Sequence, residues 1–402
     1  MIPAQFRELD ALPLNENGKH DRKALTALAD GEAAAPGAAG REYVPPRDEV
    51  EERLAQIWSD VLRVERVGIK DDFFALGGDS FKAIRVVSNF GRGFLVPDLF
   101  NHPTIEGLAD FMRRSGGGSL SLLYELTPKE GRKKIAVVTV AHSAGDPLVY
   151  TQTAEALTRL SDEYRLLSVA LPRREPESGE SYAQMLRQLA GQVVEEIRKL
   201  EVPVIIYGQS NGTGLALELA RWMERERLEL RALLLGGALP RLNLDPRTLD
   251  SDTRTDEVIV QFVTGLGSTA IPQDPADLAI FARNFRYDSL IAVNAYYNAL
   301  RDMKKTSFQR LEAPLFCVTG DNDPLTRNYQ TRYRDWYRYA RRVELVVIEG
   351  VGHYLLRDRP EEVARLLHRV GEGDYVAPEG EAPEAAGVLG RLRSMLPRLG
   401  RD

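Results

Sequence analysis

Three side chains in this sequence have the types and settings that nucleophilic acyl transfer requires. Gly208-Gln209-Ser210-Asn211-Gly212 joins a β-branched run, VIIY at 204–207, to the helix-forming LALELARWM. A G-x-S-x-G turn between strand and helix projects its serine hydroxyl above a sheet, because the glycines permit a tight turn. Read as structure alone, the same residues make a glycine-rich turn with a serine helix cap. A free serine hydroxyl is a poor nucleophile and needs a base. His353, in EGVGHYLL just after the run VELVVI (343–348), lies among small residues beyond a strand and suits that role. Its plain structural reading is a packed loop histidine. The run LFCVT (315–319) ends in Gly320-Asp321-Asn322-Asp323-Pro324. Asp323, before the proline, is expected to orient His353, and Asp321 to stabilise the turn.

An acyl-transfer site also needs donors for the oxyanion. The Asn211 N–H at the helix start is one candidate. The run IAVVTV (135–140) ends in Ala141-His142-Ser143-Ala144-Gly145, a small-residue loop that offers a second from Ser143 or Ala144; otherwise it is only a tight turn. His142 either sits beside the site or is structural. His20 and His102 lie outside this block, and His368 falls on a terminal helix.

The elements that must hold these groups alternate. Short apolar runs at 135–140, 166–170, 204–207, 232–235, 315–319 and 343–348 are separated mostly by helical stretches, such as 182–200 with Leu186, Leu189, Val193 and Ile197 on one face. Buried strands alternating with helices predict a mostly parallel α/β sheet. The gap after 235 is too long for one crossover, so about 243–304 is expected to be a helical insertion. Its aromatic residues, Phe281, Phe285, Tyr287, Tyr296 and Tyr297, either line a pocket that favours an apolar product and cyclisation, or pack the insertion onto the core. Upstream, Val50, Leu54, Ile57, Trp58, Val61 and Leu62 recur at helical spacing, Asp79-Ser80 precedes another helix, and Thr104 caps a last one. That makes a small helical unit over 46–115. Ala/Gly/Pro-rich 28–45 and GGGS-containing 116–129 read as linkers, and 371–402 as a flexible tail.

Composition narrows the function classes. Among 402 residues, 53 basic and 59 acidic side chains leave a net charge of −6, which argues against nucleic acid as the main partner. Cys317 is the single cysteine, so a disulfide framework, a cysteine zinc site and an iron–sulfur cluster are excluded; no metal site is expected. No apolar run approaches the ~18 residues of a membrane span, MIPAQFRELD lacks signal-peptide features, and a cytoplasmic location is expected.

The order Ser210…Asp323…His353 is that of α/β-hydrolases. With AHSAGDPLVY, GQSNGTG, GDNDP and GVGHYLL, residues 130–370 resemble a type I thioesterase. DDFFALGGDSFKAIRVVS resembles the phosphopantetheine attachment motif of a peptidyl carrier protein, which makes Ser80 the modified serine. LPLNENGKHDRKAL resembles the last core motif of an adenylation domain; residues 1–27 would be the tail of such a domain, with Lys19 its acyl-adenylate lysine, which has no reaction to serve here. Together the chain resembles the C-terminal end of a nonribosomal peptide synthetase.

This resemblance implies a multidomain chain: a small all-α four-helix carrier bundle, then an α/β-hydrolase with a mostly parallel sheet and a helical lid. It implies 4'-phosphopantetheine covalently on Ser80 and release of a peptidyl chain through Ser210, His353 and Asp323, by macrocyclisation or hydrolysis. The implied partners are upstream condensation and adenylation domains, a phosphopantetheinyl transferase and the peptidyl substrate, with neither nucleic acid nor membrane. The alternatives are a non-catalytic carrier module with a decayed thioesterase, and an editing hydrolase.

The sequence departs from the family in three places. Many such thioesterases carry the acid after the strand that follows the nucleophile helix, where Gly236-Gly237 stand here. Asn211 replaces a small or apolar residue. NFGRGFLVPDLF is about one helical turn short. The apolar, Arg-containing segment from Val388 to Leu399 is either a short amphipathic docking segment or a frayed end.

Ser80→Ala should abolish the mass increment that a phosphopantetheinyl transferase adds, while cleavage of small soluble thioesters persists. A Ser80→Ala chain that still gains the increment overturns the carrier assignment.

Overall fold

The structure, a computed structural model, describes residues 43–91, 93–114, 121–375 and 377–380. They fall into two compact units: the described residues before Ser121 with Pro272–Ile280, and Ser121–Ile271 with Phe281 onward. The expected adenylation segment 1–27 with Lys19, most of the 28–45 linker and the 381–402 part of the tail lie outside the described residues.

The described residues of the first unit before Ser121 form the helices α1 (Glu49–Leu62), α2 (Ser80–Phe90), α3 (Val96–Asn101) and α4 (Ile105–Arg114). Leu54, Trp58, Phe73, Val86, Leu99 and Leu108 form its core. Side chains satisfy the free N–H groups at three helix starts: Asp48 accepts from Glu51, Asp79 from Lys82, and Thr104 from Gly107. Each such cap is worth about 1 kcal/mol. In the shortened segment, Gly91 and Gly93 both take positive φ, and Pro97 sits in the first turn of the six-residue α3. Glu51 is the exception in an apolar interior. Its buried carboxylate accepts from Arg47 Nη2 at 2.7 Å and Arg113 Nη2 at 2.9 Å, which ties α1 to α4.

The second unit is a seven-stranded sheet in the order β1-β3-β2-β4-β5-β6-β7. Strands β2 (Ile135–Val140), β3 (Tyr164–Val169), β4 (Val204–Gln209), β5 (Leu230–Gly236), β6 (Leu315–Gly320) and β7 (Val343–Ile348) are parallel. Helices α5 (Thr151–Leu160), α6 (Tyr182–Arg198), α7 (Gly212–Arg225) and α10 (Pro360–Glu372) connect or follow them. The expected helical insertion is present as α8 (Asp256–Gly265) and α9 (Pro275–Asp302). Among the described residues, no helix is long and apolar enough to cross a membrane.

Two boundaries differ from the expectation. Strand β1 (Leu123–Glu125) falls within the expected 116–129 linker and pairs antiparallel with β3. Three residues carry too little periodicity to be read as a strand; Leu122 is buried and Glu196 of α6 accepts from the Leu122 and Leu123 N–H groups. The expected tail also begins later. Tyr375 packs on Phe316 with ring centroids 5.5 Å apart, and Val343 N–H donates to Pro378 O at 3.1 Å. A Pro- and Glu-rich segment can therefore run along the β7 edge, because edge pairing needs backbone groups rather than apolar side chains.

Helix α9 lies close on α7: a Cβ on Gly214 would come within 2.6 Å of Ala292 Cα. Tyr296 is buried, its OH 2.8 Å from Thr213 Oγ1 and its ring 6.2 Å from Trp336. This residue packs the insertion onto the core rather than lining open space, so replacing it would loosen the insertion and blur any test of product selectivity.

Arg47 and Arg113 hold the Glu51 carboxyl down at about 2, against 4.5 ordinarily. The ionised form is therefore the stabilising one. Its contribution is complete above the unfolded value and fades as pH falls toward 2. Glu51→Ala should destabilise the first unit by about 2 kcal/mol at pH 7, the worth of hydrogen bonds between charged groups. Melts followed by fluorescence should show the gap between parent and variant shrinking from pH 5 to pH 3. A gap independent of pH would assign the loss to packing.

Candidate active site

The site is assembled at the C-terminal ends of the parallel strands, where α/β sheets collect functional loops. Ser210 follows β4 with φ 55°, a left-handed backbone that a non-glycine residue rarely takes. Its neighbours explain how the turn is held. A Cβ on Gly208 would meet Ala216 Cβ at 2.7 Å and Gly212 O at 2.8 Å; one on Gly212 would strike the Val140 and Ala141 carbonyl oxygens. Only glycine fits at both positions. Ser210 O accepts from Thr213 Oγ1 and Thr213 N–H, which secures the start of α7.

His353 Nε2 lies 2.9 Å from Ser210 Oγ, and His353 Nδ1 lies 3.0 Å from Asp323 Oδ2. A carboxylate only accepts, so Nδ1 carries the proton and Nε2 is left to accept from the serine hydroxyl. Asp323 and His353 are 4% and 2% exposed, so the contact is shielded from water. Asp323 Oδ1 accepts from Leu325 N–H at 2.9 Å. Asp321 is exposed, and its Oδ1 accepts from Val351 N–H at 3.2 Å, fastening the acid loop to the histidine loop. The geometry therefore brings Ser210, His353 and Asp323 together and leaves Asp321 outside.

At the end of β5, where the resemblance would place the acid, there is no room for one. A Cβ on Gly236 would strike Tyr207 OH and Gln209 Oε1; one on Gly237, at φ +62°, would lie 2.7 Å from Gln209 Nε2 and 3.2 Å from His353 Nδ1. Buried Gln209 fills that space. Its Oε1 accepts from Tyr207 OH at 2.7 Å, and its Nε2 donates to His353 O at 2.8 Å. In the sequence Gln209 is only a variable position of the turn, yet in the fold it braces the base. The paired absence of an acid at 236–237 was the available signal.

The expected oxyanion donors separate. Ser143 and Asn211 N–H groups have no protein acceptor among the described residues. Ala144 N–H, by contrast, donates to Asp288 Oδ2 of α9 at 2.7 Å. In this arrangement Ala144 is spent, which overturns that half of the Ser143-or-Ala144 expectation. Asp288 is held by a buried ion pair with Arg173 at 3.0 Å, and Arg173 also donates to Gly145 O. Burial raises the Asp288 carboxyl while Arg173 opposes the rise. Burial also lowers His142 to about 4, so this ring is neutral near pH 7 and adds no charge beside His353.

The Asn211 side chain is the junction between core and insertion. Its Nδ2 donates to Ser143 Oγ at 2.7 Å and Ser289 Oγ at 3.0 Å, while its Oδ1 accepts from Arg241 Nη2 at 2.7 Å. This polar group beside the nucleophile differs from a purely aromatic pocket wall. Among the described residues, no group of His, Cys, Asp and Glu is arranged to hold a metal.

Two family models match the chain. Residues 136–370 match the family model described as a thioesterase domain, and 52–112 match the phosphopantetheine attachment site. Surfactin synthase subunit 3 of Bacillus subtilis (strain 168) is 30% identical over 259 residues, covering 63% of this chain and 18% of that protein. Bacitracin synthase 2 of Bacillus licheniformis is 43% identical over 117 residues, covering 28% and 4%. The chain thus spans less than a fifth of either relative. Among solved structures, RedJ thioesterase from the prodiginine pathway of Streptomyces coelicolor matches with a TM-score of 0.46 at 22% identity, over 61% of this chain and 95% of its own.

Asp323→Asn should lower kcat on a soluble thioester by about 10⁴, because the wrong imidazole tautomer would then face Ser210. Asp321→Asn should cost no more than a few-fold. Equal small losses in steady-state assays of both variants would point to a different acid.

Proposed function

Because the chain belongs to the thioesterase family, we propose that it is a terminal carrier–thioesterase segment of a nonribosomal peptide synthetase. It takes a peptidyl chain from Ser80 to Ser210 and releases it by hydrolysis or macrocyclisation. The hydrogen-bonded chain Ser210–His353–Asp323 carries this reading. The non-catalytic alternative drew on the missing acid at Gly237; the 3.0 Å contact from Asp323 to His353 speaks against it.

The cofactor of the carrier domain at 52–112 is a covalent phosphopantetheine, and the residues around Ser80 fit it. Ser80 is exposed at the start of α2, next to Asp79, which caps the helix. Three residues before Ser80, a Cβ on Gly77 would meet nothing within 4 Å. The arm would supply the acyl chain as a thioester. Upstream condensation and adenylation domains, and a transferase that loads the arm, are the partners this assigns; a cytoplasmic setting follows from them.

At the elbow, His353 Nε2 takes the proton of Ser210 Oγ as the oxygen attacks the thioester carbonyl. Asn211 and Ser143 N–H groups stabilise the oxyanion, and Asp323 stabilises the imidazolium. Collapse returns the proton from His353 to the leaving thiol, leaving an ester on Ser210. Water or a nucleophile within the chain then attacks that ester, with His353 again as base.

Loading Ser80 with peptidyl groups and following the intact protein by mass spectrometry tests this. The acyl mass should move to a Ser210 peptide and then appear as free acid or ring. A Ser210→Ala chain should stay loaded at least ~10³-fold longer, in line with losses on removing such a nucleophile. Equal release from both chains would overturn the reading.

A further inference from the structure

The guanidinium of Arg241 stands apart from the other charged groups around Ser210. Arg173 is paired with Asp288, and Arg254 with Asp252. Asp323 faces His353. Arg241 donates to the neutral amide oxygen of Asn211, and no carboxylate pairs with it among the described residues. Its other near neighbours are the Tyr296 ring, 5.6 Å from the guanidinium carbon, and Arg254, which repels it. Burial works against its charge in the same direction. An arginine nevertheless stays protonated in a protein. Further N–H donors and a full positive charge are therefore held in a partly enclosed site with no protein counter-ion.

A partly buried charge without a counter-ion costs desolvation energy, and such a charge is normally offset by a partner. The place of this one suggests the partner. Arg241 donates to Oδ1 of Asn211, the residue next to the nucleophile, while Nδ2 of the same amide donates to Ser289 of α9. A chain esterified to Ser210 starts at that point. We propose that Arg241 is a specificity-determining residue that binds a carboxylate carried by the acyl chain within a few bonds of the reacting carbonyl. The inference rests on the thioesterase reading above. A planar guanidinium gives a carboxylate two parallel hydrogen bonds, which fixes orientation as well as affinity. The phosphate of the carrier arm is the other anion in this chemistry, but it lies at the far end of the arm from the thioester. The polar junction at Asn211 then holds the cation in place for the acyl chain.

The test uses N-acetylcysteamine thioesters, which contain no phosphate, on the full chain. Two acyl groups are compared that differ only in a glutamate or glutamine side chain at the carbonyl-terminal residue. The parent should prefer the glutamyl thioester in kcat/KM by about tenfold to a hundredfold, the range of a charge-assisted hydrogen bond. Arg241→Met should erase that ratio, and Arg241→Lys should keep part of it. A purely structural role for Arg241 would lower both substrates together and leave the ratio intact. Labelling of Ser210 by a fluorophosphonate reports an intact elbow in each variant; if Arg241→Met is not labelled, the ratio in Arg241→Lys decides. A parent without preference, or a preference that survives in Arg241→Met, overturns the carboxylate site while leaving the thioesterase reading in place. Failure of the parent to cleave either thioester or to label at Ser210 would instead count against the thioesterase reading.

Discussion

Everything at this site depends on how closely β4 and α7 approach their neighbours at the Ser210 turn. A left-handed serine persists only where surrounding contacts fix it. Here they come from the Val140 and Ala141 carbonyls against Gly212 and from Ala216 against Gly208. The same closeness continues along α7 to Gly214, which brings α9 onto the helix at Ala292. Nucleophile, oxyanion loop and insertion are thereby set by one run of glycines. The side chain of Asn211 then joins all three through Ser143, Ser289 and Arg241.

Moving the acid from β5 to β6 has a structural counterpart. Gln209 fills the space at Gly236-Gly237 and holds the backbone of His353 through its carbonyl. The acid and the base then sit on loops after adjacent parallel strands. These loops are stitched together by Asn322 N–H to Val351 O at 3.0 Å and by Asp321 to Val351 N–H. Gly320 permits this, since a Cβ there would strike the Val351 and Gly352 carbonyl oxygens. The base is thus positioned from two sides, by an amide on its carbonyl and a carboxylate on its ring.

The parts legible in the sequence were those that obey local rules. Six strands announced themselves as apolar runs, Asp79 and Thr104 as caps, and Ser210, Asp323 and His353 by their positions after strands. What escaped lacks a local signature. Strand β1 is three residues long and gains its place from Glu196, 73 positions from Leu123. The segment to residue 380 is fixed by backbone pairing to β7. Ala144 looked as free as Ser143 in its loop, but the acceptor that claims it is Asp288, 144 residues away. Gln209 and Arg241 acquire meaning only once the glycines at 236–237 and the amide at 211 are seen beside them. Long-range polar pairing has no periodicity, so it is the layer of structure that a pattern of apolar residues leaves unwritten.

That polar layer also bears on how the insertion shapes the chemistry. Its Tyr296 buries itself against Thr213 and Trp336, and the groups it turns toward the nucleophile are Asp288 and Ser289. Water can be kept from an ester by ordered polar groups as well as by an apolar wall, provided those groups are already bonded to one another. Among the described residues, the charges around Ser210 cancel in pairs except at Arg241. As the reaction begins, proton transfer to His353 creates an imidazolium facing Asp323, and the negative charge appears on the oxyanion. A carboxylate seated at Arg241 would neutralise that cation without competing for either of these. The field at the reacting carbonyl would then be set by the imidazolium and the backbone donors alone, and binding and bond-breaking would draw on separate parts of the same site.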